Sequence, residues 1–111
     1  MPTPSAERIR KAVDAHLAAR DIPDTLTLAD GLEEALMGFA DHPVDGLIAV
    51  YDAFKCIEII AARDGTSYED AEDDFFYNTV GTFVGPKTPM FYWPLQRKRG
   101  SEWQPVWREN I

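Results

Sequence analysis

The run Arg63-Asp64-Gly65-Thr66 is the sharpest stop and restart in this chain, and it constrains the fold more than any other feature. Glycine leaves a helix in a left-handed conformation without steric cost, and a hydroxyl followed three residues later by Glu forms a capping box. Gly65 is therefore expected to end one helix, and Thr66 with Glu69 to open the next. The first, 53–63, starts after Asp52 and carries Ala53, Cys56, Ile57, Ile60 and Ala61 on its apolar side. The second runs from Ser67 to about Val80 or Val84, with Tyr68, Ala71, Phe75, Thr79 and Phe83 as its stripe. Two helices meeting at a tight corner need a further surface to cover their apolar faces.

Two short apolar runs supply one. Residues 46–51, Gly-Leu-Ile-Ala-Val-Tyr, are too short for an independent helix and rich in strand-forming side chains, so they read as a strand apolar on both faces. The same pattern also fits one continuous helix over 44–63. Residues 88–93, Thr-Pro-Met-Phe-Tyr-Trp, read as a second strand, which Pro89 and Pro94 confine to an edge. Upstream, Thr3-Pro4 opens a helix whose face is Ala6, Ile9, Val13 and Leu17, fading near Arg20 before Pro23. Leu28, Leu32, Ala35, Leu36 and Phe39 have helical spacing, weakened by Gly31 and Gly38, and Asp41-His42-Pro43 ends that segment. The expectation is an α+β domain of about four helices on a two-stranded sheet of 47–51 and 89–93. Its parts are a helical region 1–45, a strand-helix-helix-strand core 46–93 and a basic tail 94–111. Leu36, Phe39, Ile48, Val50, Ile57, Ile60, Ala71, Phe75 and Phe91 are the expected core.

The length of 111 residues suits one domain, and 45% apolar against 27% charged residues is an ordinary globular balance. No apolar run is long enough for a membrane helix, and no secretory leader is visible. Cys56 has no partner for an internal disulfide, so a reducing, cytoplasmic setting is expected. Charge is unevenly placed. Residues 21–85 hold fifteen acidic side chains against Lys55 and Arg63 alone, whereas both ends are net basic. Such a middle repels duplex nucleic acid, whose binding needs clustered cations, and suits a protein partner with a basic surface.

Segment 50–91 resembles a family of small uncharacterised proteins encoded largely by bacteriophages, prophages and bacteria. The resemblance rests on Val50-Tyr51-Asp52, Lys55-Cys56-Ile57-Glu58, Arg63-Asp64-Gly65, Tyr68-Glu69-Asp70-Ala71, Phe76-Tyr77-Asn78, Gly81, Val84-Gly85 and Thr88-Pro89-Met90-Phe91. It implies a strand, two helices and a short strand in that order, and a phage-type accessory role, with no catalytic residue to carry over.

The chemistry-bearing residues favour binding over catalysis. His16, His42 and Cys56 have no metal-ligand spacing, and no calcium loop accompanies the carboxylates. Residues 81–88, Gly-Thr-Phe-Val-Gly-Pro-Lys-Thr, lack a phosphate loop's Gly-Lys-Thr ending, because Pro86 intervenes and removes an amide donor. The sequence carries no cofactor motif. Asp70, Glu72, Asp73 and Asp74 read as a solvated acidic face and the candidate docking surface. Asn78 is expected near the buried side, locking its helix to the 85–89 loop or lining a small ligand pocket with Tyr77. Trp103 and Trp107, beside Arg97, Lys98 and Arg99, form a candidate contact for a protein partner or a second copy. The same pattern also fits single-stranded nucleic acid, or basic side chains that cover the acidic middle of the same chain.

Overall fold

The computed structural model describes residues 4–21, 26–81, 85–99 and 102–105. Helix α1 (Pro4–Ala19) buries Ala6, Val13 and Leu17, the face its three- and four-residue spacing predicts. The chain then passes through a 3-10 turn (Glu33–Ala35) into strand β1 (Leu36–His42), strand β2 (Gly46–Asp52), helix α2 (Ala53–Asp64) and helix α3 (Tyr68–Phe75). A π turn (Phe76–Val80) extends α3, and strand β3 (Met90–Tyr92) follows. Strands β4 (Gln96–Arg99) and β5 (Glu102–Pro105) form a separate antiparallel ribbon. The fold class is α+β, with three α-helices and a three-stranded mixed sheet among the described residues.

The sheet has the order β1-β2-β3, antiparallel between β1 and β2 and parallel between β2 and β3. A parallel neighbour requires a crossover, and the α2–α3 corner provides it. The strand and helix of 46–63 are separate, divided at Asp52, whose carboxylate accepts the Lys55 N–H at 3.3 Å and caps α2. At the far end Gly65 sits at φ 65°, and the Gly65 and Thr66 amides both donate to the Ala61 carbonyl. The next cap is Ser67 rather than Thr66: its hydroxyl accepts the Asp70 N–H at 3.1 Å, so the expected box with Glu69 is not the one formed.

The expected helix after Thr27 is absent, while α1 keeps the first part of the 1–45 region helical. Of the absent helix only the 3-10 turn remains, and 36–42 pairs with β2 as an edge strand. Gly31 and Gly38 have φ of 87° and 154°, outside the helical region. At Gly38 this allows a bulge that leaves Met37 unpaired in the register and exposed. The β1–β2 turn is tied by His42, whose Nδ1 accepts the amides of Val44 and Asp45 at 3.2 and 3.1 Å. Sheet pairing thus overrides a weak helical pattern.

The core lies between β2 and the α2–α3 corner. Ala49 and Tyr51 of β2 meet Ala53, Cys56, Ile57 and Ile60 of α2, Ala71 and Phe75 of α3, and Leu32 and Ala35 from the 3-10 turn. The alanines let the elements approach closely, while Phe75 fills the space beneath β3, edge-on to Phe91 with ring centres 5.2 Å apart. Ile48, Ile57, Ile60, Ala71 and Phe75 are buried as expected, whereas Leu36, Phe39 and Phe91 are only partly covered because β1 and β3 are edges, and Val50 of the central strand is also only partly covered.

Candidate functional site

Two groups of carboxylates receive opposite treatment. Glu33, in the 3-10 turn, is only 5% exposed. One of its oxygens accepts Arg10 Nε from α1 at 3.1 Å, and the other accepts the Gly31 N–H at 2.9 Å. Arg10 also pairs with Asp30. Burial pulls the Arg10 guanidinium down, but its bond to Glu33 and the field of Glu33 and Asp30 more than offset this, leaving it raised. Alongside, the buried Tyr51 hydroxyl accepts the Ala29 N–H at 2.7 Å. Desolvation raises the Tyr51 pKa despite that bond. The cluster fastens α1 and the 26–35 segment to β2. Its sequence signal is slight: Arg10 adjoins the α1 stripe, and Glu33 sits between Leu32 and Ala35.

The α3 carboxylates face water instead. Asp70 and Asp73 are exposed, and Glu72 and Asp74 are half-buried. Among the described residues no ion pair neutralises Glu69, Asp70 or Asp73. Arg63 at the end of α2 is held mainly by Asp64, whose carboxyl it keeps below the usual range, with a weaker attraction from Asp74. Most of the acidic face is therefore free of internal neutralisation among the described side chains.

Immediately after these acids the helix widens into the π turn, closed by the Gly81 amide donating to the Phe76 carbonyl at 3.2 Å. Segments of this kind recur at functional sites. Here the turn presents Phe76, Tyr77 and Val80 to solvent, with Tyr77 86% exposed. Trp93, just beyond β3, stacks on Phe76 with ring centres 5.6 Å apart and planes 17° apart, and meets the edges of Phe54 and Phe75. Trp93 itself is still 38% exposed. The outcome is an exposed Phe76–Trp93 ring pair, with Tyr77 exposed next to it in the chain. The sequence reading places Tyr77 in a possible pocket and assigns no role to Phe76 or Trp93 as an exposed pair, because their meeting depends on how β3 docks.

Asn78 requires a correction. It is exposed rather than near the buried side, and its side-chain amide donates to Asp74 one turn back. The π turn rotates each residue by less than an α-helix does, which carries Asn78 away from the side defined by Ala71 and Phe75. In the 85–89 loop the Lys87 amide donates to Asp45 at 3.5 Å, and Thr88 closes onto the Gly85 carbonyl. Tyr77 and Asn78 both lie on an open helix surface.

Cys56 sits in the core, where burial pushes its thiol up to about 12, and His42 is occupied in the β1–β2 turn. These positions give no nucleophile-base pair. Among the described residues no three His, Cys, Asp or Glu side chains converge on a point that would hold a metal ion. No described helix is long and apolar enough to cross a membrane. Trp103 lies in β5, paired through its backbone with Lys98 of β4, and Trp107 is outside the described residues. Comparison of the chain with models of known protein families, with curated proteins and with solved structures gives no match.

Proposed function

We propose that this chain is a non-enzymatic, acidic protein-interaction module of phage or prophage type, acting in the cytoplasm on a partner with a basic surface. The observation that carries this reading is the exposure of Glu69, Asp70 and Asp73 along α3, without an internal cation among the described side chains. Exposed carboxylates left unpaired cost little in isolation and attract a cationic partner at long range. The acidic middle of the chain points the same way, since it disfavours duplex nucleic acid.

Calorimetric titration of the full chain with an oligolysine peptide at graded salt tests this. Binding should weaken steeply as salt rises, and a variant carrying Asp70→Lys and Asp73→Lys should lose it. Equal binding by that variant, or none by the parent protein, overturns the proposal.

A further inference from the structure

The α3 acids stop where the exposed rings begin, and the two sets share a face. Asp73 is three residues before Phe76 and four before Tyr77, and the Asn78 bond to Asp74 shows that side chains four apart still meet across this junction. Glu69 stands one turn further back on the same side. Trp93 lies against Phe76 from β3, and its contacts with the edges of Phe54 and Phe75 hold this ring surface in place before any partner arrives. A carboxylate next to preorganised, solvent-facing aromatic rings complements one protein side chain better than any other. The guanidinium of arginine is planar, stacks on rings and pairs with carboxylates in a fixed geometry, whereas a lysine ammonium is a strongly hydrated point charge.

Resting on the docking role proposed above, we infer that this α3–π surface selects arginine over lysine in its protein partner. A partner guanidinium lies on the exposed rings of Tyr77 and Phe76 and pairs with Asp73. Further basic residues of the partner run back along α3 towards Asp70 and Glu69. Neither half of the surface makes this selection alone: carboxylates attract both cations, and bare rings equally suit an apolar partner.

The test compares charge-matched Arg-Gly and Lys-Gly repeat peptides of about ten residues, titrated into the full chain by calorimetry and followed by amide chemical shifts. The arginine peptide should bind about fivefold more tightly, as expected of added ring stacking. Its largest shifts should fall on 73–80 and on Trp93. Tyr77→Ala leaves the core untouched, because the side chain is almost wholly exposed. It should remove most of the arginine preference by weakening the arginine peptide more than the lysine peptide. Equal affinity for the two peptides, or a preference that survives Tyr77→Ala, overturns arginine selection and leaves the acidic docking role standing. Failure of both peptides to bind the parent protein overturns both.

Discussion

Phe75 and Phe76 are consecutive residues of the same type, yet one is sealed in the core and the other lies half in solvent. Phe75 fits under β3 against Phe91, while Phe76 turns outward and stacks on Trp93. The carboxylates divide in the same way. Glu33 is enclosed and held by Arg10 and the Gly31 amide, whereas Asp70 and Asp73 are left to water. On one side of the molecule aromatic and acidic groups are consumed in holding it together. On the other, the same chemistry remains available to a partner.

Substitutions that treat the two sides alike should have very different effects. The largest is expected for Phe75→Ala, which opens a cavity beneath β3 and should cost about 3–5 kcal/mol in urea unfolding. Phe76→Ala should cost roughly 1 kcal/mol, since a half-exposed ring loses less burial. Comparable losses for the two would remove the distinction between the sides.

Arg10→Leu is expected to come next. It strips the side-chain cation from an enclosed Glu33 and should destabilise by about 2 kcal/mol, less than for a fully buried pair because Arg10 is itself partly exposed. Local hydrogen exchange should rise first in α1 and 26–35, the segments the cluster fastens. A uniform rise across the chain would contradict that local role.

Tyr51→Phe leaves the Ala29 amide without its acceptor and should cost about 1 kcal/mol near neutrality. It also supplies a test with a sign. Burial raises the Tyr51 pKa in the folded state, so the unfolded chain ionises first as pH climbs past about 10. Tyr51 stabilisation is complete below that point and is lost as pH rises towards the folded value, so the parent protein should weaken there more than Tyr51→Phe does. Denaturant midpoints compared across that range provide the measurement.

The smallest effect belongs to Asp73→Asn, which should change stability by less than about 0.5 kcal/mol while weakening peptide binding measurably. A large loss of stability would instead give Asp73 a structural duty.

Much of the local architecture was legible in the sequence because it rests on short-range chemistry. Asp52 caps α2, Gly65 turns the chain, and the apolar spacings select the buried sides of α1 and α2. The 36–42 segment was not legible. Leu36 and Phe39 have helical spacing, and their place at a sheet edge depends on pairing with β2 across a turn. Asn78 was misread for a similar reason, since an α-helical period does not carry through a π turn. Within the candidate site, the acids could be found as a run in the chain. The stacking of Trp93 on Phe76 could not, because Trp93 is contributed from beyond β3.

The α2 boundaries at Asp52 and Gly65, the strand of 46–51 and the concentration of negative charge between basic termini follow from residues close together along the chain. Tertiary contacts make 36–42 a strand, enclose Glu33 with Arg10 and bring Trp93 onto Phe76. Each of these joins residues far apart in sequence, where burial and backbone pairing outweigh local preference.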